Sequence, residues 1–209
     1  MKRKDVILYF LVGSILFCSP FTARAYSAPQ NDAEDQSESA DFAKQLSSPD
    51  PATRQTAAEA LARLVALDQK KLVEGYVLQE KDKRVRLALH WALYRMGKST
   101  ALFQIVRDLD SSRQDQAINY LSQIESAEPL YVFLREENTR PKLIVGVIDV
   151  LGRIGDAETL QQIKPFMDSL DPKVSEAAQL STNMINHRLG EAQPATKTRP
   201  RTAGKPEQP

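Results

Sequence analysis

Asp50-Pro51-Ala52-Thr53-Arg54-Gln55-Thr56-Ala57-Ala58-Glu59-Ala60-Leu61-Ala62-Arg63-Leu64 opens on an aspartate and a proline and runs into apolar residues at helical spacing. An acidic side chain can accept an orphan N–H at a helix start, and proline has none to lose there. The same phrase returns. With Asp50 as the first anchor, the later anchors are Asp82, Asp110, Arg140 and Asp171, at steps of 32, 28, 30 and 31 residues. Seven residues past each anchor stand Ala57, Leu89, Ala117, Val147 and Ala178. Eleven past stand Leu61, Leu93, Leu121, Leu151 and Thr182, and fourteen past Leu64, Met96, Ile124, Ile154 and Ile185. A period near thirty with fixed apolar offsets is the pattern of stacked helix pairs.

The second helices of the pairs are expected over 52–66, 83–96, 113–124, 141–154 and 172–187. Shorter first helices precede them, carried by Phe42, Ala43 and Leu46, then by Leu72, Val73, Tyr76 and Val77, and so on to Leu160, Ile163 and Phe166. Strand signals are nearly absent. The one β-branched run, 143–151, falls on a helix in the repeat frame and is expected to be the most buried helix. The fold class is therefore all-α, an α-α superhelix of about five helix pairs over residues 42–189. The fifth helix, with Gln179, Thr182 and Asn183 outward or half outward, suits a polar cap.

The ends differ in composition. Lys2, Arg3 and Lys4 precede an apolar run over 6–17, and Ala23-Arg24-Ala25 supplies a small-x-small pattern. Residues 1–25 thus read as a signal peptide cleaved before Tyr26. The run falls short of the roughly 20 apolar residues a membrane span needs. Cys18, the single cysteine, follows bulky Phe17, which argues against lipidation. Cleavage would leave no cysteine, so no disulfide or thiol chemistry is expected. Residues 26–41 carry Asp32, Glu34, Asp35, Glu38 and Asp41 without a basic residue and read as an acidic, disordered arm. Residues 190–209 are proline-rich with Lys197, Arg199, Arg201 and Lys205, and read as a disordered tail that could touch an anionic envelope surface.

The repeats resemble HEAT-like repeats, in particular the short type of the phycobilisome lyases. The phrase that carries the resemblance is Asp-Pro, an apolar residue and Arg, paired alanines, then Ala-Leu. It stands as Asp50-Pro51 with Arg54, Ala57-Ala58 and Ala60-Leu61, as Asp82 with Val85-Arg86, and as Asp171-Pro172 with Val174 and Ala177-Ala178. Gly97 and Gly155 match the glycine that often ends the helix. The resemblance implies an Asp–Arg ladder between layers. Gln114, Arg140, Ile144 and Ser175 depart from it, so the ladder is expected to break past the second repeat. The resemblance also implies that second helices line a concave surface.

Catalytic signals are thin. His90 and His187 are the only histidines, no ligand pair sits at metal spacing, and Glu59 and Asp149 read as single solvated carboxylates. No catalytic residue, cofactor or metal is expected. Two surface features suggest binding instead. At thirteen past each anchor, Arg63, Arg95, Gln123 and Arg153 would form a mostly basic stripe able to hold an acidic segment. Trp91, at an offset expected to be exposed, with Tyr94, Arg95 and Arg84 nearby, has the composition of a binding hot spot. Near-neutral charge argues against nucleic acid. The reading is an exported, periplasmic or secreted, non-catalytic adaptor for a protein or peptide partner. Its alternatives are a lyase-like accessory factor in cofactor or tetrapyrrole attachment and an envelope-tethered structural protein.

Overall fold

The computed structural model describes residues 30–135 and 139–192. Ten α-helices follow one another, with short 3-10 turns and no strand among the described residues. They are α1 Gln30–Gln45, α2 Pro51–Leu64, α3 Lys70–Gln79, α4 Lys83–Arg95, α5 Ala101–Arg107, α6 Gln114–Leu121, α7 Tyr131–Arg135, α8 Pro141–Ile154, α9 Ala157–Ile163 and α10 Pro172–Ala192. Even-numbered helices are the expected second helices. Helix α2 packs on α4, and α8 packs on α10.

The helix starts are capped as the sequence requires. Asp50 accepts from the N–H groups of Ala52 and Thr53 at 3.3 and 3.0 Å, and Pro51 sits in the first turn. Asp82 accepts from Arg84 and Val85, and Asp156 forms a reciprocal capping box with Thr159. The core follows the repeat offsets. All five residues at seven past the anchor are fully buried, as are Leu61, Leu93, Leu121 and Leu151 at eleven. At fourteen, Met96, Ile124 and Ile185 are buried while Leu64 and Ile154 are half-buried. Gln179 and Asn183 are exposed and Thr182 is half-buried, as expected of a capping helix.

Three expectations are corrected. The acidic arm is not disordered over 30–41, because those residues belong to α1, and Ser39 is buried and donates to Asp68 at 3.0 Å. Phe42, Ala43 and Leu46 dock the end of α1, and extending a docked helix backwards avoids the cost of a new nucleus. Second, α8 is matched by α4, which buries Val85, Leu87, Ala88, Leu89, Trp91, Ala92 and Leu93. Third, the polar ties between layers do not follow the motif's Asp and Arg positions, and one of them lies past repeat two. Arg54 forms a two-bond fork with Glu80 at 2.8 and 2.9 Å and also reaches the carbonyls of Ser48 and Pro49. Further along, Arg140 stands at an aspartate anchor and pairs across the layer with the anchor Asp110 at 2.6 Å. The expected signal peptide, residues 26–29 and tail residues 193–209 lie outside the described residues; 190–192 close α10.

The Arg54 fork holds the Glu80 carboxyl below the usual range, with desolvation opposing the shift. A depressed carboxyl contributes stability that is present above its unfolded pKa and lost as pH falls through the folded one. Glu80→Gln should therefore cost about 2 kcal/mol near neutral pH, by the worth of charge-assisted hydrogen bonds. The gap to the wild-type chain should close below the ordinary glutamate range. Urea melts at pH 7 and at pH 3 check this, and a gap independent of pH would refute it.

Helix ends α2 and α4 share one closing motif. Gly97 has φ +82, its N–H reaches the Tyr94 carbonyl, and the Lys98 N–H reaches that of Leu93. One repeat earlier, Val65 takes the glycine position with φ 51, while Val65 and Ala66 donate to Ala62 and Leu61. A β-branched residue is strained in that left-handed region. Val65→Gly should stabilise the chain by about 1 kcal/mol despite the added freedom of the unfolded glycine. A higher urea midpoint at unchanged slope is the expected result.

Candidate functional site

Helices α2, α4 and α6 stack side by side, so their ninth and thirteenth offsets meet in one groove. Its volume is about 260 Å³, and its lining includes Glu59 and Arg63 from α2, Trp91 and Arg95 from α4, and Asn119 and Tyr120 from α6, with Gln123 just beyond. The two columns read from the sequence are thus the floor and rim of a single feature.

Trp91 is floor, not rim. It is 4% exposed and lies nearly parallel to the Tyr120 ring at 5.5 Å between centroids. Tyr94 stacks on it at 5.9 Å, and the Arg95 guanidinium carbon sits 5.7 Å from its ring centroid. The expected exposure of Trp91 is therefore corrected: the third layer folds over it. Tyr94 is half-buried and turns toward a neighbouring hollow shared with Val65, Ile124 and Pro129. Burial pushes its phenol pKa up.

Glu59 is not a lone solvated carboxylate. It accepts from the Tyr120 hydroxyl at 2.5 Å and from Gln55 Nε2 at 2.9 Å. Gln116 Nε2 donates in turn to the Tyr120 hydroxyl at 2.8 Å. This chain of bonds ties α6 to α2 across the whole middle layer. Burial first, and then the Glu59 carboxylate, pushes the Tyr120 phenol above the ordinary tyrosine range. The phenol stays protonated at physiological pH, and its bond to Glu59 braces the floor.

What faces the groove from its rim is donor-rich. Arg63 is exposed and Arg95 half-buried, and neither guanidinium has a carboxylate within 4.0 Å among the described residues. Asn119 and Gln123 stand beside them. Arg153 does not join them. It lies at the end of α8, outside the groove, and pairs with Asp149 at 3.3 Å. Arg84 is exposed at the start of α4, also outside, and its backbone carbonyl accepts from Gln116 Nε2. Of six residues proposed from sequence, the structure brings Arg63, Trp91 and Arg95 together, with Tyr94 behind. Sequence reasoning missed Tyr120, whose signal was an aromatic at a position otherwise held by Ala60, Ala92, Val150 and Ser181. Past Asp149 the columns turn apolar, ending on exposed Leu180 and Met184 of α10.

Residues 39–122 match the HEAT repeats family. That segment carries HEAT repeats, within an all-α, HEAT-like solenoid. The match runs from within α1 through α6 and so contains the groove except for Gln123. Among solved structures, the chain is similar to human deoxyhypusine hydroxylase in complex with glycerol, at 14% identity, with 73% of this chain and 76% of that chain covered and a TM-score of 0.33. No curated protein matches it by sequence. Among the described residues no cluster of three or more His, Cys, Asp or Glu is placed to hold a metal, and no helix is long and apolar enough to cross a membrane.

Proposed function

We propose that this HEAT-repeat scaffold binds an acidic peptide segment of a partner protein in the groove across α2, α4 and α6. The observation that supports it most is the pairing of two guanidiniums, Arg63 and Arg95, lacking ion partners, above a rigid aromatic floor. Arginine forks suit carboxylates, and a fixed floor lowers the ordering cost of binding. The partner's carboxylate would lie between the two arginines. Asn119 and Gln123 would bond its backbone. In this reading the chain works by holding, without catalysis, and it is exported by residues 1–25. Tyr26 as the first residue of the mature chain would support the export.

The test is cross-linking in the native envelope followed by mass spectrometry, paired with an array of acidic and neutral peptides. One dominant protein whose acidic segment also binds on the array is the expected result. Arg63→Glu with Arg95→Glu should weaken that binding by tenfold or more, equivalent to at least about 1.4 kcal/mol, and added salt should weaken it in the wild-type chain. Arg153→Ala should bind normally. Equal capture by the double charge reversal would overturn the groove assignment.

A further inference from the structure

A second concavity, of about 600 Å³, opens where the first half of α4 faces α5 and the turn that follows it. Five cations line it: Lys83 and Arg86 from α4, Arg107 from α5, and Arg113 and Arg140 from the loops before α6 and α8. Only two carboxylates answer them, and both are already engaged. Asp108 pairs with Arg113, and Asp110 takes Arg140 together with Lys142. Lys83, Arg86 and Arg107 have no carboxylate within 4.0 Å among the described residues. Arg86 and Arg107 make only long bonds, to the Glu80 carbonyl at 3.5 Å and to Gln104 Oε1 at 3.4 Å. A concave wall with an excess of about three positive charges focuses potential into its mouth.

We infer that this cleft is an anion site for a phosphoryl group. Its three free cations come from two helices, so together they can serve the three or more oxygens of a phosphoryl group, where a carboxylate presents two. Arginine supplies forked donors and lysine a point charge, the usual pair for phosphate. His90 lies in the same wall, half-buried, its pKa held down by burial and then by Arg86, with Asp108 opposing. It is a neutral donor beside the cations and a built-in reporter, because a bound dianion would favour its protonated form. The site is separate from the groove on α2, α4 and α6, so either assignment can fail alone.

The intact purified chain is titrated with inorganic pyrophosphate at fixed ionic strength, followed by calorimetry and by the proton resonances of the two histidines. Saturable binding with one site is expected. The His90 signal should move and its titration midpoint should rise, while exposed His187 on α10 stays fixed. Arg86→Gln with Arg107→Gln should weaken binding at least tenfold without lowering the melting temperature, since both side chains are exposed. Arg63→Gln with Arg95→Gln should leave it unchanged. No saturation, equal shifts at both histidines, or full affinity in the Arg86/Arg107 variant would each overturn the proposal. Glycerol 3-phosphate and phosphatidylglycerol vesicles separate the sources. Tighter binding to vesicles, lost in the Arg86/Arg107 variant, assigns a lipid headgroup, whereas binding of glycerol 3-phosphate alone assigns a free phosphate ester.

Discussion

Trp91→Ala should lower stability by about 3–5 kcal/mol, the usual cost of emptying a buried tryptophan site. The ring is wedged between α4 and α6, with Tyr120 flat against it, and three of its neighbours depend on it. Removing it leaves Tyr120 without its stacking partner, and the Tyr120 hydroxyl is what bridges to Glu59 on α2. The loss should therefore reach two layers. Urea unfolding measures it, and Trp91→Phe should recover roughly half. Trp91 is the single tryptophan, so in the wild-type chain its fluorescence reports this packing directly. A blue-shifted emission that moves red only in the unfolding transition is the expected signature. An emission already red in the native chain, or a Trp91→Ala variant with wild-type stability, would show that the floor is not packed.

This changes how the groove must be probed. From the sequence, Trp91→Ala looks like a clean binding variant that spares the fold. In the structure it removes the floor, and lost capture would report unfolding as readily as lost contact. The rim arginines are the appropriate probes. Arg63 is exposed, Arg95 meets Trp91 through its guanidinium, and neither head has an ion pair among the described residues, so their replacement changes charge with less effect on packing than loss of the ring.

The stack itself was legible because burial at seven and eleven past each anchor leaves a repeated mark, and Ala57, Leu61, Leu93 and Leu121 carry it plainly. The site was half legible for a physical reason. The columns at nine and thirteen were placed on the right face, since that depends only on helical period. Whether a column is rim or floor depends on the tilt of the next helix and on one large side chain reaching back. Tyr120 reaches from α6 over Trp91, and no feature of Trp91's own helix announces it. Arg153 follows the same offset as Arg95, but α8 carries Asp149 one turn before it and satisfies it there. The α1 start was missed because composition reads charge density and not docking. Arg140 read as a break in the motif, yet an arginine opposite the Asp110 anchor keeps the layers joined by reversing one partner's sign.

The far end of the stack should be the most sensitive to a single methyl group. A Cβ added at Gly152 on α8 would lie 2.6 Å from Ser181 Oγ, 2.8 Å from its Cβ and 3.0 Å from its Cα on α10. The last of these is backbone, so a rotamer change cannot relieve the clash and the helices must part. Parting them breaks the buried Ser181 hydroxyl bond to the Ile148 carbonyl at 2.9 Å. It also loosens Arg188, which clasps the carbonyls of Gly152, Arg153 and Gly155 at the end of α8. Overpacking of about 1–3 kcal/mol and a lost buried bond of about 1–3 kcal/mol oppose a propensity gain near 1 kcal/mol. Gly152→Ala should therefore destabilise by about 1–5 kcal/mol. Because each layer of a repeat stack rests chiefly on its neighbours, the damage should stay local. Hydrogen exchange should speed up in α10 and α8 while α2 and α4 keep their protection. Gly190→Ala is the internal control: it lies on α10, the helix that Gly152 packs against, and nothing stands within 4 Å of its added methyl. That variant should be neutral or slightly stabilising. Equal melts for Gly152→Ala and the wild-type chain would mean that α10 does not dock as closely as Ser181 implies, and uniform loss of protection across all layers would mean that the stack unfolds as one unit.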